Sequence, residues 1–488
     1  TNNSLDTTMS NHKEIRFGTD GWRGRIADDY TFDTLSRAAQ GYASYLHAIG
    51  AADKGIVVGY DNRFLGQEFA HRVAEVMAGN GIRVLCTERP TPTPVIAFAI
   101  LHLKTGGAVN VTASHNPPAD SGFKIRADYG GAVAQEDLAT VEANIPASTD
   151  DVKHMPLDEA IASGLVEFID VGDAYLEALA ALVDLEAIRN SGFRIVVDPM
   201  WGVGAGWFPR LLEGSSVELH EVQAVRNPAF PNMERPEPIP PNISACQEAV
   251  KALDAHVGIL TDGDADRVGI VAEDGTFVNQ LQVYALLAYY LLESRGERGP
   301  IVKTLSTTSM LEKLGERYGV DVHETGVGFK YVAPKMVETG AMIGGEESGG
   351  YAFKGHVAER DGILAGLMFL DLMSRTGKTP TELLDTIFEL VGEHYYDRVD
   401  VHYPAAERAD ILERVRSARP DALAGFPVER IDTTDGWKFH LGDGGGWLLI
   451  RFSGTEPVIR VYTETMREGA VQALLQAGLD LAGVERPA

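Results

Sequence analysis

Short β-branched runs followed by helical patterns recur along the chain, at Ile56-Val57-Val58-Gly59-Tyr60, Ile195-Val196-Val197-Asp198 and Ile301-Val302-Lys303-Thr304. Each run begins an α/β unit. After the first, residues 67–79 have helical periodicity and end on glycine before Ile82-Arg83-Val84-Leu85, which reads as the next parallel strand. A chain of 488 residues also exceeds one ordinary core and divides into three or four domains. The fold expected is α/β, with three tandem doubly wound domains of related core. Beyond about residue 392 the pattern changes: Tyr395–His402 and residues 447–452 alternate like antiparallel strands, so the remainder reads as a small α+β domain. Residues 143–156, rich in Asn, Pro, Ser, Thr and Asp, mark a first boundary. The expected spans are 1–160, 161–276, 277–390 and 391–488. The proline-rich residues 227–241 have no regular period and read as a long functional loop.

Composition narrows the function classes. Acidic residues outnumber basic ones 70 to 43, for a formal net charge of −27, so the average surface repels nucleic acid and anionic membrane. A phosphorylated substrate then needs a locally basic pocket. Only Cys86 and Cys246 occur, which excludes a disulfide framework and a cysteine zinc site, fits a reducing cytoplasm, and leaves buried thiols as the expectation for both. The apolar residues 281–292 are too few to span a bilayer and read as a buried helix. Residues 1–13, with Met9 among them, are polar without the apolar core of a signal peptide and are expected to be a disordered tail.

Between two apolar segments lies Asp262-Gly263-Asp264-Ala265-Asp266-Arg267. Extended backbone turns residues two apart to the same side, so this spacing can aim three carboxylates at one point. Oxygen-only ligands favour Mg²⁺, Mn²⁺ or Ca²⁺ over zinc, and the fork of Arg267 suits a phosphate oxygen beside the metal. A calcium loop of the EF-hand type is the nearest competitor, since Glu273 falls at its twelfth position. It is opposed by Arg267 at the sixth position, where that loop turns on glycine, and by strand-like flanks where it needs helices. A solvated acidic turn without metal is the plainer alternative.

Three more loops carry polar chemistry. Ser114, in Thr112-Ala113-Ser114-His115-Asn116-Pro117-Pro118, follows the strand-like Ala108–Val111 and so stands where α/β sheets place ligands, although a lone serine there is more often a cap or turn residue. Lys124, ten residues on, is a proton-transfer group, a phosphate partner or a solvated lysine. Glu346 and Ser348, in Gly344-Gly345-Glu346-Glu347-Ser348-Gly349-Gly350, place a carboxylate and a hydroxyl two residues apart in a loop that can clasp neighbouring sugar hydroxyls or be an ordinary turn. Arg451, Ser453, Gly454 and Thr455, in Arg451-Phe452-Ser453-Gly454-Thr455-Glu456-Pro457, supply the ingredients of an anion nest, a phosphate cradle.

With Phe17-Gly18-Thr19-Asp20-Gly21-Trp22-Arg23-Gly24 at the start, these loops follow one another in an order that resembles the α-D-phosphohexomutase superfamily of phosphoglucomutases and phosphomannomutases, over nearly the whole chain. The resemblance implies four domains around a central cleft, one loop from each. It implies that Ser114 is the phosphoserine that donates and recovers a phosphoryl group. Asp262, Asp264 and Asp266, with a phosphoserine oxygen, would bind Mg²⁺. Arg23, Lys124 and Arg267 would surround the transferring phosphate, Glu346 and Ser348 hold the sugar, and Arg451, Ser453, Gly454 and Thr455 hold the other phosphate. Residues 326–330 resemble a family specificity loop, which implies that Lys330 would be a phosphate or sugar contact.

The chain departs from the family's pattern at Phe452, at Ser121 and at Gly350, where phosphomannomutase-like members often carry a histidine acid or base. The segment Gly355-His356-Val357-Ala358-Glu359-Arg360-Asp361-Gly362 is more similar to glucose-type members, with Arg360 as the basic residue. The expectation is therefore a cytoplasmic phosphoglucomutase acting through glucose 1,6-bisphosphate, with some phosphomannomutase activity. Phosphomannomutase and phosphoglucosamine mutase are the near alternatives, and a serine-nucleophile metal phosphatase or a silent sugar-phosphate sensor the remote ones. The expected partners are hexose phosphates, with neither nucleic acid nor membrane, for a monomer or homodimer.

Overall fold

The computed structural model describes residues 14–18, 21–454 and 457–486. The expected tail at 1–13 and the cradle residue Thr455 lie outside the described residues. The chain divides into two compact units, one of Thr1–Gly172 with Asn227–Phe230, the other of Asp173–Arg226 with Pro231–Ala488.

The first unit is built on a six-stranded sheet in the order Trp22–Arg25, Asp120–Arg126, Ala108–Val111, Ile56–Tyr60, Val84–Thr87, Val166–Ile169. The last four strands are parallel, and Asp120–Arg126 folds back antiparallel on Ala108–Val111. Ile56–Tyr60 is buried at every position because helices cover both faces, which is why its sequence is apolar without alternation. Helix Phe32–Ala48 starts from a capping box of Thr31 and Thr34 and buries Leu35, Ala38, Ala39, Tyr42 and Leu46 against the sheet. The sheet runs past residue 160, where the sequence set the first boundary. Segment 143–156 is no linker but a strap on the first unit: Met155 N–H donates to Glu75 O (3.1 Å), and Arg37 Nε to Pro146 O (2.7 Å). Its prolines and small polar residues serve an irregular path across a surface as well as they would a linker.

The second unit holds three sheets. One runs Phe277–Val278, Val268–Ala272, Val257–Thr261, Arg194–Asp198, Glu218–Glu221, and the next Val322–Thr325, Ile301–Thr304, Ile343–Gly345, Tyr351–Phe353. Both repeat the plan of the first sheet: parallel strands, then one whose carboxyl end turns directly into an antiparallel partner. The three tandem sheets are thus mixed rather than wholly parallel, and in each the loop singled out in the sequence is the turn of that hairpin. The helix expected at 281–292 is buried and is built as Gln280–Tyr289 followed by a π-helical turn, Tyr290–Ser294.

The C-terminal sheet is antiparallel throughout, in the order Tyr395–His402, Val458–Thr465, Gly446–Phe452, Trp437–Leu441, Phe426–Asp432, Ala422–Leu423. Leu448, Ile450, Ile459 and Val461 bury one face against Leu474, Leu475 and Leu479 of helix Val471–Ala482, leaving a two-layer α+β domain. Two polar contacts stitch this sheet to the preceding one: Lys438 Nζ donates to Glu324 Oε2 (2.9 Å), and Ser309 N–H donates to Glu464 (2.8 Å).

Candidate active site

In the first unit the serine turn is held by an arginine the sequence reading passed over. Arg63 is fully buried, and its guanidinium donates to four carbonyls of that turn: Ser114 O (2.6 Å), Asn116 O (2.7 Å), Pro117 O (2.8 Å) and Asp120 O (3.1 Å). Asp61 balances it at 3.3 Å, and its other face covers the ring of Phe230 at 5.1 Å. Asp61 also accepts from the Thr112 hydroxyl (2.5 Å), whose oxygen accepts the Ser114 N–H (2.9 Å). This scaffold keeps Ser114 at φ 51°, a left-handed conformation that costs a non-glycine residue about 1–2 kcal/mol unless its surroundings enforce it. Serine is 2% exposed there, with Oγ 3.4 Å from His115 Nδ1.

Arg23 lies across the strand pair from Gly122 and reaches Asn116 Oδ1 at 2.5 Å, so it touches the serine turn directly. Lys124 is buried on the returning strand, in register with Asn110. Ser114, Arg23 and Lys124 are therefore gathered in one hairpin region of the first unit. The only sequence hint of Arg63 was its place, two residues past Asp61 at the carboxyl end of an apolar strand.

In the second unit, Asp262, Asp264 and Asp266 are all fully buried and offer oxygens within 4.8 Å of one another. Strands flank the turn, as expected, and rule out the helices of an EF-hand. Three buried carboxylates at this separation repel one another strongly, and a hard divalent cation is the natural neutraliser. Asp262 also accepts the Arg267 N–H (3.1 Å), closing the turn. Gly362 lets the start of helix Gly362–Thr376 approach this turn, its N–H donating to Ala265 O (3.0 Å), where any Cβ would strike backbone. Burial disfavours the charge of Arg267, but Asp262, Asp266 and Glu237 more than restore it and hold its pKa above the ordinary arginine value. Glu237 belongs to the irregular segment 227–241, and its Oε1 lies 3.6 Å from Arg267 Nη1.

Arg360 joins the Asp262–Arg267 turn to the Glu346–Ser348 turn. Its guanidinium lies 3.3 Å from Asp266, 3.3 Å from Glu346 and 3.1 Å from Glu359, over the Phe329 ring at 5.3 Å. A Cβ at Gly350 would come within 2.8 Å of Arg360 Cγ and closer still to Cδ, so the arginine stem fills the space that a side chain at 350 would need. Ser348 Oγ is 3.4 Å from Glu346 Oε2, which puts the two on one side of the turn. Glu347 faces the other way, accepting from Thr304 (3.0 Å) and Ser306 (2.6 Å) in the interior. Lys330 follows Phe329 at the start of helix Phe329–Thr339, its Nζ over the Tyr331 ring at 5.0 Å.

The last turn joins Gly446–Phe452 to Val458–Thr465. Arg451 sits at its first side with 15% side-chain exposure, gripped by Asp435 through Nε (3.2 Å) and Nη2 (3.0 Å). Ser453 N–H donates to Val458 O (2.9 Å), Ser453 O accepts from Arg408 (3.0 Å), and Gly454 has open space where a side chain would stand. Asp435, absent from the sequence-based set, also accepts the Val327 N–H (2.8 Å).

Comparison with known proteins gives a consistent result. Family models of the phosphoglucomutase/phosphomannomutase α/β/α domains I, II and III match residues 14–151, 173–275 and 279–391, and the model of the C-terminal domain matches 404–480. The chain is 32% identical over 465 residues to a phosphoglucomutase/phosphomannomutase of Thermococcus kodakarensis, covering 95% of this chain and 98% of that one. A phosphoglucomutase of Komagataeibacter xylinus is 27% identical, with 94% and 88% covered. Among solved structures, a candidate phosphomannomutase of Thermus thermophilus superposes with a TM-score of 0.85 at 36% identity, covering 97% of this chain and all of that one. Four such domains with these turns define a phosphohexomutase, an isomerase that works as an intramolecular phosphotransferase. The chain belongs to the α-D-phosphohexomutase superfamily, through its phosphoglucomutase/phosphomannomutase domain families.

Proposed function

We propose that this mutase interconverts glucose 1-phosphate and glucose 6-phosphate, with a lower activity on mannose phosphates. The observation that carries the sugar assignment is Arg360, whose stem takes the space beside Gly350 and whose guanidinium reaches Glu346. A histidine at 350 would have to displace that stem, which favours the glucose-type arrangement over the phosphomannomutase-like one. Glu346 and Ser348 contact the 3- and 4-hydroxyls, which glucose and mannose share, so the pair binds both sugars and rejects neither.

In the reaction, Ser114 carries the phosphoryl group. A substrate hydroxyl attacks the phosphorus of phosphoserine, its O–P bond forms as the Ser114 Oγ–P bond breaks, its proton ends on the released Ser114 Oγ, and glucose 1,6-bisphosphate results. The bisphosphate reorients and Ser114 Oγ then takes the phosphoryl group from the opposite end. Arg23, Lys124 and Arg267 neutralise charge on the transferring group, while Arg451, Ser453, Gly454 and Thr455 hold the phosphate that does not react. Asp262, Asp264 and Asp266 fit Mg²⁺, which when bound stabilises negative charge on the phosphoryl oxygens.

The test is kcat/KM on glucose 1-phosphate, mannose 1-phosphate and N-acetylglucosamine 1-phosphate, each with a trace of the matching bisphosphate, together with free phosphate. Glucose is expected to lead, with measurable turnover of mannose and negligible phosphate release. A clear preference for mannose or the amino sugar would overturn the sugar assignment, and stoichiometric phosphate release would make the protein a phosphatase.

A further inference from the structure

The arginine of the phosphate cradle does not stand alone. Asp435, in the turn between Phe426–Asp432 and Trp437–Leu441, grips its Nε and Nη2 with both carboxylate oxygens, a bidentate pairing that fixes the plane of the fork. Among the described residues Nη1 donates to no protein group, so the pairing aims one edge of the guanidinium away from Asp435. The same Asp435 Oδ2 that takes Nη2 at 3.0 Å takes the Val327 N–H at 2.8 Å. Val327 lies in the loop 326–330, which leads into Phe329, stacked on Arg360, and Lys330. One carboxylate thus fastens two loops from different sheets of the second unit, and through Phe329 and Arg360 the connection continues to Glu346 and Asp266.

From this juxtaposition we propose that Asp435 is a positioning residue for substrate phosphate. It presets Arg451 to receive the non-reacting phosphate on its open edge and ties the 326–330 loop to that arginine, so that phosphate capture and loop placement are one event. The proposal rests on Arg451 being the phosphate ligand of the mutase reading. A long side chain with four rotatable bonds wanders when its counter-ion is removed, and the binding of phosphate must then order it. Asp435 touches no reacting atom, so its effect falls on binding shared by ground and transition states and appears in KM.

The experiment compares wild type, Asp435→Ala, Asp435→Asn, Arg451→Ala and the double Ala variant. It uses glucose 1-phosphate and glucose 6-phosphate for steady-state kinetics and hydrogen exchange at the Val327 amide. Asp435→Ala is expected to raise KM for both sugar phosphates about tenfold with kcat within about threefold, and to speed exchange at Val327. Asp435→Asn keeps an acceptor for Val327 and a neutral hydrogen bond to Arg451, so it should raise KM by about threefold; it also serves where the alanine variant does not fold. The double variant should bind no worse than Arg451→Ala alone, because Asp435 acts through that arginine. An unchanged or lowered KM in both Asp435 variants, or effects that multiply in the double variant, overturns the proposal. An unchanged KM in Arg451→Ala would instead remove the phosphate-ligand reading on which it rests.

Discussion

Arg63→Met is the most informative single change in the first unit. It removes the donor to four carbonyls of the serine turn and strips buried Asp61 of its counter-ion. Charge-assisted hydrogen bonds contribute about 1.5–3 kcal/mol each, but four made by one group do not add. Removing one partner of a buried pair costs about 3–5 kcal/mol because the other charge is left without compensation. The first unit should therefore lose about 3–5 kcal/mol, a large part of the stability of an ordinary domain but not all of it. Arg63→Lys retains the charge but not the planar fork, and an ammonium with three donors cannot serve four acceptors, so about 2 kcal/mol should go. Both variants should cut kcat by more than about 100-fold, equivalent to about 2.7 kcal/mol of barrier, since Ser114 at φ 51° relaxes once its carbonyl is released. A multidomain chain does not unfold in one step, so stability is read from hydrogen exchange in the first sheet, alongside kcat and phosphoserine occupancy by intact mass. A lysine variant with more than half of wild-type kcat and exchange within about 1 kcal/mol of wild type would refute this account of the turn.

Ser114→Ala should abolish turnover with the fold intact, and intact mass should show one phosphate on part of the wild-type population only; more than about a tenth of wild-type activity, a difference of about 1.4 kcal/mol, would exclude Ser114 as the obligatory carrier. Chelation should stop the reaction and Mg²⁺ restore it, with alanine at Asp262, Asp264 or Asp266 acting mainly on kcat; full activity after verified metal removal would exclude the metal role. Burial raises the carboxyl of Asp198 to about 7, although Met200 N–H pulls the other way. A folded pKa above the unfolded 3.8 means that its contribution to stability is present below about pH 4 and is lost as pH rises towards 7, so Asp198→Asn should flatten that slope and gain up to a few kcal/mol above pH 7, order of magnitude. Hydrogen exchange in strand Arg194–Asp198, followed against pH, with the same slope in wild type and variant would contradict it. Glu346→Ala should lower kcat/KM for glucose and mannose phosphates by similar factors, and a loss confined to one sugar would show that Glu346 discriminates between them.

The sequence alone determined the parts of this protein that are local. Short β-branched runs mark buried parallel strands at Ile56–Tyr60 and Ile301–Thr304, because neighbours in the chain decide the outcome. The spacing of Asp262, Asp264 and Asp266 marks their cluster too, but not through the extended backbone expected: the carboxylates converge on a tight turn, with Ala265 at φ 61° and its N–H donating to Asp262 O (3.1 Å). The four chemically marked turns were legible for the same reason. What joins them was not. Arg63 is 51 residues from the serine it clamps, Arg360 is 94 residues from Asp266, and Asp435 is 108 residues from Val327. A lone Arg or Asp in a loop carries no local pattern that separates a solvated side chain from a buried clamp. Nor did the strap at 143–156 differ in composition from a linker, since proline and small polar residues suit any irregular path. Those assignments waited on tertiary structure because burial converts an ordinary charge into an obligatory partner, and only the packed chain decides which charges are buried together.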